Sequence, residues 1–241
     1  VGSAPRVQEL HRLGKLKLTG VKLLVLDEFD RLLGKQHLDE VRTVIRLLPA
    51  ERQALLLSAT AGAAAVCMAE ELFAPRLIRV ESTDASYENY YHIVPFRDKI
   101  KAVQKLTRRL PIRRGLVFVG RSFDAAHALE KLRFEGIKAV ALLGQERRDQ
   151  RRAALDAIRA GRAELLISTD LAARGLDIED VDYVIHLDLP EDVRTYRHRA
   201  GRTARAGKVG AVISLVDEKE IDKLKALAAR MEIELSRLPR T

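Results

Sequence analysis

Short apolar runs alternate with longer amphipathic segments along most of this 241-residue chain. Near-continuous apolar strands separated by helices are typical of a parallel sheet that is buried on both faces. The sequence therefore predicts an α/β protein. The apolar runs are LLVL (23–26), ALLLS (54–58), GLVFV (115–119), KAVALL (138–143), ELLIS (164–168), DYVIHL (182–187) and GAVISLV (210–216).

A polar segment, ESTDASYE at 81–88, interrupts this alternation. We interpret 81–95 as a linker between a first domain over 1–80 and a second domain over 96–241, which agrees with the usual domain size of roughly 100 to 200 residues. The second domain has enough strands for a complete doubly wound sheet. The first has two, and is predicted to be the later part of such a domain.

The composition excludes several classes of protein. With 47% hydrophobic and 32% charged residues the chain is not intrinsically disordered, and its single cysteine excludes a disulfide framework. We expect Cys67 to be a packed helix residue in a reducing, cytoplasmic compartment. No apolar run reaches membrane-spanning length, and the chain begins with Val1 and no secretory signal, so we expect a fragment of a longer protein with no membrane segment.

The net charge of +9 favours a polyanionic partner without naming one. In parallel sheets ligands bind at the carboxyl ends of the strands, so the residues after each apolar run are the first candidates for a site. Asp27 and Glu28 follow the first run. Two such carboxylates can hold a hydrated Mg²⁺ and orient a water for attack on a phosphate. An acidic, solvated turn is the alternative interpretation.

Hydroxyls and a glycine follow two other runs. Ser58 and Thr60 come after the second run, where capping of the next helix is the common role of such residues. After ELLIS come Thr169, Gly175 and Asp177. They offer a hydroxyl, a glycine whose backbone a ligand could approach closely, and a carboxylate. Helix capping and turn formation remain the alternatives here too.

The segment 194–208 carries six cations and no acid. Arg202 and Arg205 lie three residues apart, which would place both guanidinium groups on one helix face, suited to gripping phosphate oxygens. A solvated basic face is the alternative. The segment 144–162, which contains Arg148 and Arg151, has mixed charge and is predicted to be a helix.

A phosphate-binding loop of the form GxxxxGK[ST] is missing from the sequence. Each Gly-Lys pair, at Gly14, Gly34 and Gly207, lacks the glycine five positions earlier. We therefore expect this chain alone to lack the cradle for the β and γ phosphates of a nucleotide.

In order, these segments resemble the later motifs of a DEAD-box RNA helicase of superfamily 2. VLDEFD resembles the DEAD motif, SAT the coupling motif, STDLAARGLD the TDxxxRGxD motif and HRAGRTAR the HRxGRxxR motif. SAPR at 3–6, which precedes them, and GLVFVGRS and the pair Arg148 and Arg151, which fall between them, resemble further motifs of the family. The resemblance covers nearly the whole chain and implies two RecA-like parallel-sheet domains, the first truncated and the second complete.

The resemblance also implies ATP and Mg²⁺ as cofactors, RNA as the partner, and roles for individual residues. Asp27 would bind Mg²⁺ through water, Glu28 would activate the attacking water, and Arg202 and Arg205 would be arginine fingers. Residues implied in ATP binding and its coupling to domain closure are Asp30, Ser58, Thr60, Gly175, Asp177 and His198. Residues implied in RNA binding are Arg6, Arg148, Arg151 and Thr169.

The sequence departs from the family pattern at several positions. Phe29 stands where the family has Ala, Arg148 where it has Gln, and Ala204 where it often has Gly; the Phe29 ring is expected to crowd the strand end. The resemblance implies an ATP-dependent RNA helicase. The alternatives are an RNA-binding fragment without ATP turnover and, since basic residues alone do not distinguish the two nucleic acids, a DNA-binding protein.

Overall fold

The computed structural model describes residues 1–58, 61–73, 78, 87–144, 146–173, 178, 181–204 and 210–238. Within it the chain divides into two compact units, Val1–Val80 and Glu81–Thr241. Each unit has a parallel sheet of its own. Among the residues described, no helix has the length and apolar character needed to cross a membrane.

The first unit contains a two-stranded parallel sheet. Its strands pair in a register that sets Asp27, the last residue of the first strand, opposite Leu57, the last residue of the second. The elements in chain order are α1 (Ala4–Arg12), β1 (Leu23–Asp27), α2 (Phe29–Leu32), α3 (Leu38–Leu47), β2 (Gln53–Leu57) and α4 (Ala63–Phe73).

One face of this small sheet is packed and the other is exposed. A core formed by the packed face and the helices includes Leu26, Phe29, Leu33, Val41 and Ala69. On the opposite face, the side chains of Leu23, Val25, Leu55 and Leu57 are 44–51% exposed. The prediction of a sheet buried on both faces is therefore wrong for the first unit, because α1, α3 and α4 pack into the same core on one side.

Cys67 lies on α4, as expected of a helix residue, but it is exposed. Residues two apart on an α-helix point about 200° apart, and Ala69 faces the core. The prediction of a packed cysteine is wrong for this reason.

The second unit contains a seven-stranded parallel sheet with the strand order β5-β6-β4-β7-β8-β3-β9. A 3₁₀ turn, Phe96–Asp98, precedes α5. The elements are β3 (Tyr87–Ile93), α5 (Lys99–Arg109), β4 (Gly115–Phe118), α6 (Ser122–Phe134), β5 (Ala139–Leu142), α7 (Arg148–Arg159), β6 (Leu165–Ser168), α8 (Asp170–Ala173), β7 (Tyr183–His186), α9 (Val193–Ala200), β8 (Gly210–Val216), α10 (Ile221–Met231) and β9 (Ser236–Arg237).

The linker predicted over 81–95 is too long. Its residues Tyr87–Ile93 form β3, which pairs along its whole length with β8. The segment YENYYHI has few aliphatic residues, so it lacks the apolar run that marks the other strands. Its aromatic side chains instead contribute to both cores of the unit.

The sheet of the second unit is covered on both faces, as predicted. Side chains of α5 and α6 pack with one set of alternating strand residues, such as Val117 and Ile185. Side chains of α7, α8, α9 and α10 pack with the other set, such as Leu116 and Val184. Strands buried on both faces need apolar residues at every position, which is why the sequence shows continuous apolar runs.

A buried histidine lies within this sheet. His186, the last residue of β7, has its Nδ1 atom 3.1 Å from Ser214 Oγ and its ring edge-on to Tyr196 at 4.9 Å. Its Nε2 atom has no hydrogen-bond partner among the described residues. Burial, and then the positive charge of Arg199, lower the pKa of His186 well below its usual value.

This histidine makes stability depend on pH. The unfolded state binds a proton near pH 6.5 and the folded state does not, so the free energy of unfolding falls as the pH drops below about 6.5, by up to about 1.4 kcal/mol per pH unit. We expect urea titrations from pH 7.5 to pH 5 to show this loss, and His186→Asn to reduce the slope. An unchanged slope in the variant would assign the acid sensitivity to other groups.

Candidate functional site

Two adjacent carboxylates end the first strand. Asp27 is exposed at the carboxyl end of β1, and Glu28 has left-handed backbone angles of φ 52° and ψ 47°. The Glu28 N–H donates a hydrogen bond of 3.0 Å to Asp27 Oδ1. Left-handed angles are uncommon for a residue other than glycine and cluster at functional sites. The strained turn holds both acids at the sheet edge.

The side chain of Phe29, the residue after Glu28, anchors this turn to the core of the first unit. Its ring is only 6% exposed and packs with Leu26 and Leu33 in the core of the first unit. The expectation that the ring would crowd the strand end is not met, because the side chain points into the core and away from the carboxylates. Asp30 lies in the first turn of α2, and Glu28 Oε2 lies 4.0 Å from Arg31 Nη1.

Ser58 lies at the end of the neighbouring strand. It directly follows β2, whose last residue, Leu57, pairs with Asp27, so it lies at the same end of the sheet as the two acids. The structure therefore brings Asp27, Glu28 and Ser58 to one sheet edge, as the sequence predicts. Thr60 falls outside the described residues.

Thr169 lies at the carboxyl end of β6 and is buried. Its Oγ1 atom accepts a 3.3 Å hydrogen bond from the backbone N–H of Ala172. The hydroxyl therefore caps α8, which is the alternative role that the sequence left open. A contact between Thr169 and RNA stays a prediction. Gly175 and Asp177 lie outside the described residues.

Arg202 lies in a turn and not on a helix. The helix α9 ends at Ala200 with Gly201 as its cap, and the backbone N–H of Arg202 donates to Arg199 O at 3.1 Å. The prediction that Arg202 shares a helix face with Arg205 is therefore wrong for Arg202. Arg205 falls outside the described residues.

This turn is held at the amino ends of the strands. Thr203 Oγ1 donates to Val181 O at 2.5 Å, and the two residues form a parallel bridge just before β7 begins. The expectation that the second unit's site residues gather at the carboxyl ends is correct for Thr169 and wrong for Arg202. The helix α9 runs from the carboxyl ends of the strands back toward their amino ends. Thr169 and Arg202 therefore lie at opposite ends of the strands.

Gly210, the first residue of β8, allows this close approach. A Cβ atom at Gly210 would lie 2.1 Å from Thr203 Oγ1 and 2.7 Å from the backbone N of Ala204. We expect Gly210→Ala to destabilise the second unit by about 1–3 kcal/mol through overpacking. Chemical denaturation measures the effect against a Gly120→Ala control, where the added Cβ would meet no heavy atom closer than 3.5 Å. Equal losses in the two variants would contradict the overpacking.

Arg199 has a structural role that the sequence analysis does not predict. Its guanidinium is 3% exposed, donates to both carboxylate oxygens of Asp170 at 2.7 and 2.8 Å and to Asp188 O at 2.7 Å, and lies 4.8 Å from the Phe118 ring centroid. At least one of the six cations of segment 194–208, Arg199, is therefore buried and adds no charge to the surface. Asp170 at the end of an apolar run was the signal for a buried cation.

The other predicted residues lie on helix surfaces. Arg6 is on α1, with Nη1 2.6 Å from Glu9 Oε2. Arg148 and Arg151 occupy the first turn of α7, where Arg148 is exposed and Arg151 half-buried. His198 is half-buried on α9.

The described residues contain no group of three or more His, Cys, Asp or Glu side chains arranged for a metal ion. A single exposed carboxylate such as Asp27 nevertheless fits Mg²⁺, which keeps several waters and uses one or two carboxylates together with substrate phosphates. Asp27 is therefore the candidate metal residue.

Two family models match the chain. The model of the DEAD/DEAH box helicase matches residues 1–68, and the model of the helicase conserved C-terminal domain matches residues 98–207. The DEAD-box ATP-dependent RNA helicase CshC of Bacillus cereus is 39% identical over 236 residues, which cover 97% of this chain and 60% of the relative. The probable ATP-dependent RNA helicase YfmL of Bacillus subtilis is 38% identical over 240 residues, 98% of this chain and 63% of the relative.

Solved structures show the same likeness. Dbp5 of S. cerevisiae bound to RNA and ADP BeF3 has a TM-score of 0.87 and 32% identity, over 99% of this chain and 65% of that one. The E. coli DEAD-box protein SrmB bound to RraA has a TM-score of 0.61 and 32% identity, over 64% of this chain and 91% of that one. The predicted RecA-like α/β fold is confirmed.

The chain spans about 60% of the length of the curated relatives. Both family models match in the order that the motifs predict, with VLDEFD in the first match and HRAGRTAR in the second. The chain belongs to the DEAD-box family of superfamily 2 helicases.

Proposed function

We propose that the protein containing this chain is an ATP-dependent RNA helicase that couples ATP hydrolysis to local unwinding or remodelling of an RNA duplex. The observation that carries this proposal is the edge of the first sheet, where Asp27, Glu28 and Ser58 come together on adjacent strand ends. Phosphoryl transfer requires little covalent chemistry from a protein. It requires positioning and charge at the reacting phosphate, which these residue types supply.

In this proposal each acid has a separate role. Asp27 would hold a hydrated Mg²⁺ through water, and the ion would supply positive charge to the phosphates of the nucleotide. Glu28 accepts a proton from the attacking water, and its left-handed backbone conformation fixes where its side chain begins. Asp30, Ser58 and Thr60 link this edge to His198 when the two domains close.

The second unit supplies the positive charge. Arg202 and Arg205 bind the γ phosphate as it leaves, with Gly175 and Asp177 near the nucleotide. The fixed turn after α9 supports this role for Arg202, because a guanidinium on a rigid turn needs little reorganisation to stabilise a transition state. Hydrolysis then requires both units.

RNA is the proposed nucleic acid because the curated relatives are named RNA helicases and Dbp5 was solved with RNA. The chain's own residues for the RNA backbone are Arg6, Arg148, Arg151 and Thr169. Arg148 at the exposed start of α7 and Thr169 at the end of β6 both follow strands at the carboxyl edge of the second sheet. We also propose a cytoplasmic location.

The test is ATP hydrolysis by the full-length protein with and without a single-stranded RNA. We expect RNA to stimulate hydrolysis and the protein to separate a short duplex only when ATP is present. A rate of ATP hydrolysis that RNA does not change, or duplex separation that proceeds without nucleotide, would contradict the proposal.

A second candidate function applies to the 241-residue chain by itself. Since the sequence contains no GxxxxGK[ST] loop, the chain alone is proposed to bind RNA without turning over ATP. Titration with a fluorescent ATP analogue should show at most weak binding. Micromolar affinity for the analogue would contradict this candidate.

RNA binding by the chain should depend on salt. Each phosphate contact made by a cation to single-stranded RNA adds about −0.7 to the slope of log K against log salt concentration. We expect the double variant Arg148→Ala with Arg151→Ala to make the slope shallower by about 1.4, measured by fluorescence anisotropy with oligo(U). The variant Arg230→Ala, at an exposed position on α10, is the control. An unchanged slope in the double variant would remove both arginines from the RNA site.

A further inference from the structure

The second unit has a groove between α5 and α6 that the proposed helicase mechanism does not use. Its volume is about 410 Å³, within the range of about 300–1,000 Å³ that is usual for ligand pockets. Both helices pack on the sheet face opposite to α7, α8 and α9, which carry the residues proposed for ATP and RNA. We call it the α5–α6 groove.

Apolar side chains line the α5–α6 groove and extend beyond it. Ile100 and Leu132 form part of its lining, and Phe134, the last residue of α6, stands at its side with 91% of its surface exposed. Exposed apolar clusters rimmed by polar residues mark interaction sites, so Phe134 beside Ile100 and Leu132 indicates a surface that binds another molecule.

The rim of the groove is basic. Arg97, Lys101 and Lys131 are all exposed on it, and Arg97 is 88% exposed. Of the two acids in the lining, Glu135 already accepts a 2.6 Å hydrogen bond from Gln104 and lies 3.9 Å from Arg108. The other, Asp98, lies 3.7 Å from Arg97. Three cations against two acids leave the lining with a small net positive charge, and Lys101 and Lys131 are the cations placed to bind a carboxylate.

We propose that the α5–α6 groove binds an acidic segment of a partner protein, which inserts an apolar side chain beside Phe134 and places carboxylates against Lys101 and Lys131. An apolar centre surrounded by a charged rim, with exposed aromatic and arginine side chains, is the usual anatomy of a protein interface. An RNA backbone fits less well, because its phosphates offer no apolar group to Ile100, Leu132 and Phe134 in the lining.

A displayed library of random 12-residue peptides, selected on the immobilised 241-residue chain, tests this proposal. We expect the enriched peptides to combine Phe, Trp or Leu with Asp and Glu. A fluorescein-labelled synthetic copy should bind the chain in an anisotropy titration. Its affinity should fall about tenfold when its Asp and Glu residues are replaced by Asn and Gln.

Variants of the chain test whether the peptide binds in the α5–α6 groove. Phe134→Ser and Lys131→Glu should each weaken the peptide's binding about tenfold, while the control Lys223→Glu, at an exposed site on α10, should leave it unchanged. Thermal unfolding of Phe134→Ser should match the parent, since the ring makes little contact with the core. Enrichment of no peptide, or binding that Phe134→Ser and Lys131→Glu leave unchanged, would overturn the proposal. Loss of oligo(U) binding in the same two variants would instead identify an RNA surface and overturn it too.

Discussion

Arg202→Ala is expected to lower the kcat of RNA-stimulated ATP hydrolysis by about 10³-fold to 10⁵-fold, the effect of removing an arginine finger. This corresponds to about 4–7 kcal/mol of transition-state stabilisation. The turn that carries Arg202 is fixed by Gly201 at the end of α9 and by the hydrogen bond from Thr203 to Val181. Truncating the side chain therefore removes charge from a site whose backbone stays in place.

Two controls separate this effect from a loss of folding. Arg202→Lys keeps the charge but loses the planar, bidentate guanidinium, so it should recover only a small part of the rate. Arg230→Ala, an exposed arginine at the end of α10, should keep the parent rate. Steady-state hydrolysis with saturating RNA measures all three variants. A rate for Arg202→Ala within threefold of the parent would exclude Arg202 as a finger.

Glu28→Gln is expected to lower kcat by about 10²-fold to 10⁴-fold, the usual contribution of a general base. Gln has nearly the same shape as Glu, so the left-handed turn and the hydrogen bond from the Glu28 N–H to Asp27 should persist. The KM for ATP should change little, because Asp27 keeps its carboxylate. A large loss in kcat with a constant KM would indicate a residue that acts on the transition state.

The matched control for this acid is Glu51→Gln, which changes an exposed glutamate just before β2 in the same unit. It should hydrolyse ATP at the parent rate. RNA binding in the presence of a non-hydrolysable ATP analogue should be unchanged in Glu28→Gln, since the acid is not proposed to touch RNA. Undiminished hydrolysis by Glu28→Gln would remove the residue from its proposed role.

Much of the second sheet follows from the sequence because its central strands are buried on both faces. Strands such as β4 and β6 therefore require apolar residues at every position and appear as continuous runs. The strand β3 does not appear as a continuous apolar run. Its Asn89 is buried because Asn89 Oδ1 accepts a 2.9 Å hydrogen bond from Tyr196, which is 107 residues away. No local pattern indicates a partner at that distance.

The same distinction applies to the candidate site. The positions of Asp27, Glu28 and Ser58 are predicted correctly because each lies at or just after the end of a strand, and adjacent parallel strands end on the same side of the sheet. The position of Arg202 is not predicted correctly, because it depends on a helix cap at Gly201 and a bridge between Thr203 and Val181. Short-range patterns predict the ends of strands well, whereas the direction of a turn depends on contacts that form only in the folded chain.

The central claim is that Glu28 in one unit and Arg202 in the other act on the same triphosphate. A double-mutant cycle tests it most directly, with single-turnover ATP hydrolysis measured in the parent, Glu28→Gln, Arg202→Ala and the double variant. Groups that act together on one transition state are strongly non-additive, so the double variant should be about as slow as the slower single variant. Losses that multiply, as for two independent sites, would contradict the claim.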